Sequence, residues 1–212
     1  LSPIARKMIA GILDSADALT AFGNTIPTSY LRLVPHQEAP TSICWGDRNR
    51  SVVIRVPLGW TGAQGMVNHA NPADCSCQAP QVSKQTFEFR VADGSANPYL
   101  TVAGLIIASL NGLRRSDSLE RAEKLYVDVN IFRPEFKERL ASLKRLPASC
   151  YESAEVLEQK RNVFEADGIF PKGLIDARIN GLKSFNDKGL SERIFGKTEE
   201  IIKLVEQYLH IA

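Results

Sequence analysis

Residues 97–113 set the strongest constraint on the fold. Asn97-Pro98 has the form of an N-cap followed by proline at the first helical position. From Tyr99 to Leu113 the chain is then apolar on almost every side of a helix. Such a helix belongs in an interior, because an ordinary surface helix keeps one polar face. The rest of the chain must therefore supply layers around it. With 212 residues, 44% of them hydrophobic and 24% charged, it can build that core without disulfide or metal staples. The length suits one large domain or two small ones.

The other periodicities follow from there. Ser2-Pro3 opens a helix with Ile4, Met8, Ile9, Ile12, Leu13, Ala16 and Leu19 at helical spacing, closed by Gly23-Asn24. Residues 24–40 contain Pro27, Pro35 and Pro40 and read as turn-like. Residues 41–47, 51–57 and 85–91 read as strands. Residues 58–84, rich in Gly, Pro and Asn, form a loop beyond the usual ~12–15 residues, which marks it as functional or mobile. From 116 onward the pattern is helical. Helices are expected from Arg133-Pro134 to about Leu146, from Ser149 or Ser153 to Gly168, and from Pro171 to near Asn186. A last one starts at Ser191, with an apolar stripe of Ile194, Ile201, Ile202, Val205 and Leu209.

Charge narrows the function classes. Lys+Arg is 26 and Asp+Glu 24, a net +2, which is too balanced for nucleic acid or an anionic membrane as the partner. No apolar run reaches ~18 residues, so no membrane span is expected. Four cysteines, with Cys44 in an apolar run, suit an intracellular, reducing setting. The distribution is uneven: residues 1–115 carry ten Lys/Arg, eight of them Arg, and seven Asp/Glu, against sixteen and seventeen beyond. An Arg-rich, otherwise charge-poor front reads as buried or site-bearing, and the back as solvated amphipathic helices.

Three segments could carry chemistry. In Thr86-Phe87-Glu88-Phe89-Arg90, Phe87 and Phe89 point to one face of a strand and Thr86, Glu88 and Arg90 to the other. A carboxylate and a guanidinium so placed can ligate a divalent cation and clamp an anion, or form a cross-strand ion pair on a solvated face. In Asp47-Arg48-Asn49-Arg50-Ser51-Val-Val-Ile-Arg55, an arginine inside a β-branched run needs an anionic partner. That partner is either a phosphate or carboxylate ligand, or Asp47, Glu38 or Glu88. In Arg32-Leu-Val-Pro35-His-Gln-Glu38-Ala-Pro40, prolines stiffen an excursion presenting Arg32 and Glu38. A Glu in such a loop is ordinarily just solvated. His69, Cys75 and Cys77 share the long loop, but Cys-x-Cys is not the usual spacing of a structural zinc site. Glycine-rich phosphate loops, G-x-S-x-G and H-E-x-x-H are absent from the sequence, which argues against nucleotide-binding P-loop, Rossmann, α/β-hydrolase and zincin chemistry within it.

Taken in order, Asn24-Thr-Ile-Pro-Thr-Ser29-Tyr30-Leu-Arg32-Leu-Val-Pro35, Glu38-Ala-Pro40, Arg48-Asn-Arg50-Ser51 with Arg55-Val-Pro57, and Glu88-Phe-Arg90 with Asp93-Gly-Ser-Ala-Asn97-Pro-Tyr99-Leu100 resemble the C-terminal half of the catalytic domain of glutamine synthetases. Leu146-Pro-Ala-Ser149 and Tyr151-Glu-Ser are similar, less specifically, to the family's C-terminal helices. The resemblance implies an α+β fold: antiparallel strands packed on helices, then a helical tail, with 1–115 as the half-domain and 116–212 as its helical continuation. It implies ATP and Mg2+ (or Mn2+) as cofactors, and L-glutamate and ammonia as substrates joined through a γ-glutamyl phosphate. By the same resemblance Arg32 holds glutamate, and Glu38 closes the entrance and helps deprotonate ammonium. Arg50 stabilises the transferred phosphoryl, Arg55 lies near the ATP phosphates, Glu88 ligates metal, and Arg90 lies near glutamate and the phosphoryl group.

Some features depart from that pattern. Thr86 stands where many members have an Arg two residues before the metal Glu. Loop 58–84 is longer than in the commonest bacterial form. The family's N-G-x-G-x-H segment is missing, as are its other metal carboxylates. A chain that opens on Leu1 inside a helix pattern is therefore expected to be a piece of a longer, cytoplasmic protein. The whole is expected to be a ring-shaped homo-oligomer and the piece alone inactive. Two other expectations remain: a γ-glutamyl ligase for a different amine, and a non-catalytic oligomeric relative.

Overall fold

A computed structural model describes residues 1–34, 40–57, 86–129 and 134–210. Its elements are α1 (Pro3–Gly23), α2 (Ser29–Arg32), β1 (Ser42–Asp47), β2 (Val52–Val56), β3 (Glu88–Phe89), α3 (Pro98–Arg114), α4 (Ser118–Lys124), a 3-10 turn (Pro134–Phe136), α5 (Lys137–Ser142), α6 (Cys150–Glu165), α7 (Lys172–Ser184), α8 (Leu190–Ile194) and α9 (Thr198–Tyr208). The class is α+β, as the sequence leads one to expect.

The centre of the molecule is α1, closely covered from Ile9 to Gly23 by α3, α4 and α6. Its start is capped by Ser2, whose hydroxyl accepts the Ala5 amide at 3.2 Å. The crossing of α1 with α3 is made by glycines. A methyl group on Gly11 would lie 2.1 Å from the Ala108 carbonyl oxygen, and one on Gly112 would lie 2.1 Å from that of Lys7. Two backbones meet there with no room for a side chain. At the far end Phe22 of α1 stacks on Phe170 (5.0 Å between centroids) and meets Phe164 edge-on (5.3 Å). Asp17, buried inside α1, is offset by Lys144 and Lys160, each 2.5 Å away, so this charge also ties α6 and the segment before it to α1.

The differences from the sequence reading have physical causes. Helix α3 is covered on one side only: Thr101, Gly104, Ile107, Ala108 and Gly112 face α1, whereas Tyr99 is 84% and Val102 and Ile106 each 53% exposed. An all-apolar helix needs cover all round, and the described residues of this chain supply it on the small-residue side alone. Strand β3 is two residues long rather than seven, because among the described residues of 85–91 only Glu88 and Phe89 find ladder partners. The last expected helix is two, broken at Gly196 in the left-handed region (φ 75°); α9 buries no residue fully.

The sheet has the order β1-β2-β3. β2 and β3 are antiparallel, as expected, whereas β1 and β2 run parallel, with Ser42 opposite Val52 and Asp47 opposite Val56. Only residues 48–51 join them, a short link for parallel neighbours. The outer side of β1 is closed by 125–127 and 144–146: Trp45 exchanges hydrogen bonds with Leu125 and Val127, and Ile43 donates to Lys144 at 2.8 Å.

This core has an alkaline limit. Burial pushes the Cys44 thiol up to about 12. Burial, then the neighbouring Asp187, raises Cys150, and burial raises the Tyr30 phenol well above its usual value. All three stay neutral in the fold but ionise in the unfolded chain at their ordinary values, so the unfolded state gains charge first as pH rises. Stability should be intact below about pH 8.5 and then fall by up to ~1.4 kcal/mol per pH unit for each ionising group. Thermal melts from pH 7 to 10.5 check this. Cys44→Ala should flatten the alkaline decline; an unchanged slope would contradict it.

Candidate functional site

The site residues gather along β2, β3 and the turns around them. Arg55 and Glu88 are directly opposed across the β2–β3 ladder, and Ile54 opposes Phe89. Ile54 is fully buried and Phe89 packs on the core, so alternation sends Arg55 and Glu88 to the other face. Arg90, two residues beyond Glu88, shares that face, and its amide donates to the Val53 carbonyl at 3.0 Å. One oxygen serves both cations: Glu88 Oε1 lies 2.8 Å from Arg55 Nε and 3.2 Å from Arg90 Nε. The cross-strand ion pair suggested by the strand alone is therefore present. It is incomplete, because the buried Arg55 Nε makes no hydrogen bond: its N–H does not aim at the oxygen it neighbours.

Arg50 is delivered by the link 48–51. Arg48 adopts a left-handed conformation (φ 55°), and Asn49 holds the turn. The Asn49 side chain accepts from the Ser51 amide (2.9 Å) and hydroxyl (2.6 Å) and donates to the carbonyls of Val127 (3.3 Å) and Val129 (2.7 Å). The Arg50 side chain is exposed on the rim, and its carbonyl accepts from the Arg90 guanidinium. The turn and β3 are thereby tied together.

Arg32 enters from α2, a four-residue helix in the stretch that reads as turn-like from sequence. Its guanidinium spans three successive carbonyls, donating to Val91 and, at 3.4 Å each, to Arg90 and Ala92. A polar knot supports it. Asn24 Nδ2 donates to the Val91 carbonyl (2.9 Å), the Asp93 amide donates to the Gly23 carbonyl (3.0 Å), and Ser95 bonds to Thr25, Ser29 and Asp93. The segment that carries Arg32 thus docks onto the segment that carries Glu88 and Arg90.

Two guanidinium groups, Arg55 and Arg90, flank the Glu88 carboxylate, so the cluster is net positive. That suits an anion with spread charge, a phosphate or carboxylate. A divalent cation needs about six oxygen ligands or more. Glu88 fits as one of them, but no group of three or more His, Cys, Asp or Glu that could hold a metal occurs among the described residues. The fit is thus good for a phosphate-bearing ligand and partial for its metal.

Of the residues singled out in the sequence, Arg32, Arg50, Arg55, Glu88 and Arg90 converge here. Thr86 is exposed two residues before Glu88. Glu38, His36, and all of loop 58–84 with His69, Cys75 and Cys77 lie outside the described residues. The sequence reading missed Asn24, Asn49 and Ser95 as organisers. Asn24 and Asn49 were visible only as a helix terminator and a turn residue, and their partners lie 67 and about 80 residues away.

Comparison with known proteins gives a consistent picture. The family model described as glutamine synthetase, catalytic domain, matches residues 1–184. The glutamine synthetase of Thermococcus kodakarensis is 37% identical over 213 residues, all of this chain and 42% of that protein. That of Pyrococcus furiosus is 36% identical over 187 residues, covering 87% of this chain and 37% of the relative. The chain therefore spans about two-fifths of the length of these relatives. A cryo-EM structure of Plasmodium falciparum glutamine synthetase has a TM-score of 0.60 at 23% identity, covering 89% of this chain and 39% of that one, a likeness of fold.

Proposed function

This chain belongs to the glutamine synthetase family by its catalytic domain, and from that premise we propose that it carries the phosphoryl-transfer side of an ATP-dependent glutamine-forming ligase. The observation that supports the reading best is the cluster itself: Glu88 Oε1 between Arg55 and Arg90, tied to the Arg50 turn, on one sheet face. Residues 1–115 hold the site side chains and 116–212 the helical support of the same domain.

The chemistry has two steps. The γ-phosphoryl group of ATP passes to the side-chain carboxylate of L-glutamate, releasing ADP. Ammonia then displaces phosphate from the γ-glutamyl phosphate to give glutamine. Mg2+ or Mn2+ supplies charge neutralisation on the phosphates, and Glu88 is the residue here that would help hold it. Arg55 neutralises the ATP phosphates, while Arg50 and Arg90 stabilise the charge spread over the phosphoryl group as it moves. Arg32 meets the substrate's carboxylate. Glu38 closes the glutamate entrance and takes a proton from ammonium, which must lose one to become a nucleophile. A closed entrance also protects an acyl phosphate from water.

The full-length protein is read as cytoplasmic and as a ring-shaped homo-oligomer. No described helix is long and apolar enough to cross a membrane. The 212-residue chain alone is expected to lack turnover, since among the described residues Glu88 belongs to no group of three or more possible metal ligands. The test is ATP-dependent formation of γ-glutamyl hydroxamate from glutamate and hydroxylamine by the full-length protein with Mg2+ or Mn2+. Hydroxamate formation supports the reading, and its absence with both metals overturns it. A panel of amines in place of ammonia identifies the acceptor.

A further inference from the structure

The Val91 carbonyl oxygen receives two side chains, the guanidinium of Arg32 and the Asn24 amide at 2.9 Å. These two holds differ in kind. Asn24 is fully buried at the end of α1 and pinned through its backbone: its N–H donates to Thr20 at 2.8 Å, and its carbonyl accepts the hydroxyl of buried Tyr30 at 3.1 Å. Its Nδ2 also reaches Asp93 Oδ2 at 3.5 Å, while its Oδ1 has no partner, so the amide acts here as a donor only. Arg32 is half-exposed, sits on the last residue of a four-residue helix, and binds neutral carbonyls, two of them at the long distance of 3.4 Å. A carboxylate would be the better acceptor for it, because it adds an opposite charge and can take two parallel N–H bonds from one guanidinium.

We propose that Asn24 is a positioning residue. It keeps Val91, and with it Arg90 and Glu88, in place while Arg32 exchanges the carbonyls of residues 90–92 for the substrate's carboxylate. The proposal rests on the reading of Arg32 as the group that meets glutamate. With Asn24 present, the exchange leaves the strand end anchored. Without it, Arg32 becomes the remaining side-chain hold on Val91, and binding glutamate competes with holding the strand.

The experiment uses the full-length protein with Asn24→Ser, too short to reach Val91, and Asn24→Asp, which keeps the shape but cannot donate when ionised. KM for glutamate should rise about three- to tenfold, the worth of one hydrogen bond, with KM for ATP changed less than twofold. A merely structural role would lower the melting temperature and the active fraction and leave both KM values alone; that result overturns the proposal. Hydrogen exchange on the unmodified protein gives a readout that needs no variant to fold. The amides of Arg90 and Asp93 should be no less protected with glutamate bound than without it. Faster exchange on binding would mean that Arg32 alone held the strand end, and would overturn the proposal. Wild-type protein that forms no hydroxamate fails the functional reading instead, so the two failures are distinguishable.

Discussion

Gly112→Ala is expected to destabilise the protein by about 2 kcal/mol or more. Alanine in a helix interior normally gains about 1 kcal/mol over glycine. Here the added methyl would stand 2.1 Å from the Lys7 carbonyl oxygen and 2.7 Å from the Gly11 nitrogen, both backbone atoms that no rotamer change can move aside. Overpacking of this kind costs about 3 kcal/mol, so the clash outweighs the propensity gain. Helices α1 and α3 must separate, and α3 is joined to Glu88 and Arg90 by only a few residues. Activity should therefore fall along with stability. Urea unfolding of the variant measures the effect, and a loss under about 0.5 kcal/mol would mean that the two helices are not in backbone contact. Gly11→Ala, on the other side of the crossing, should behave alike, because its methyl would stand 2.1 Å from the Ala108 carbonyl oxygen.

Glu88→Gln is expected to do the reverse, leaving the fold nearly intact and removing the chemistry. The amide keeps the shape but loses the charge that offsets Arg55 and Arg90 and that would hold a metal. The Glu88 side chain is 39% exposed, so solvent already screens the pair and the stability loss should stay under about 1 kcal/mol. Turnover of the full-length protein should fall by ~10²-fold or more, the usual cost of removing a preorganised charge from a transition state. Hydroxamate formation and a thermal melt on the same preparation separate the two effects. A variant that melts normally and turns over at the wild-type rate would remove Glu88 from the site.

Much of this architecture is legible in the chain because it is local. Ser2-Pro3 and Asn97-Pro98 announce the two central helices, and alternation puts Glu88 and Arg90 on one face with no knowledge of the sheet. What is not legible depends on distant partners. The four residues of α2 are too few for a periodic signal, and Arg32 reads as an open guanidinium because the carbonyls it binds lie 58–60 residues away. The parallel pairing of β1 with β2 cannot be read from a four-residue link, which by itself suggests a hairpin. The outer face of α3 reads as buried because composition reports apolarity and not what is available to cover it. Asn24 shows the same limit in one residue: it is a plain helix terminator until the fold brings Val91 to its amide.

The central claim is that these arginines and Glu88 serve phosphoryl transfer from ATP to glutamate. Positional isotope exchange tests it most directly. The full-length protein is given ATP carrying 18O in the β–γ bridge, with Mg2+ and without any amine. Reversible formation of γ-glutamyl phosphate lets the β-phosphate of ADP rotate before ATP re-forms, so the label should move into the β non-bridging positions only when glutamate is present. Scrambling that does not need glutamate, or none in a preparation that binds both substrates, would contradict the account.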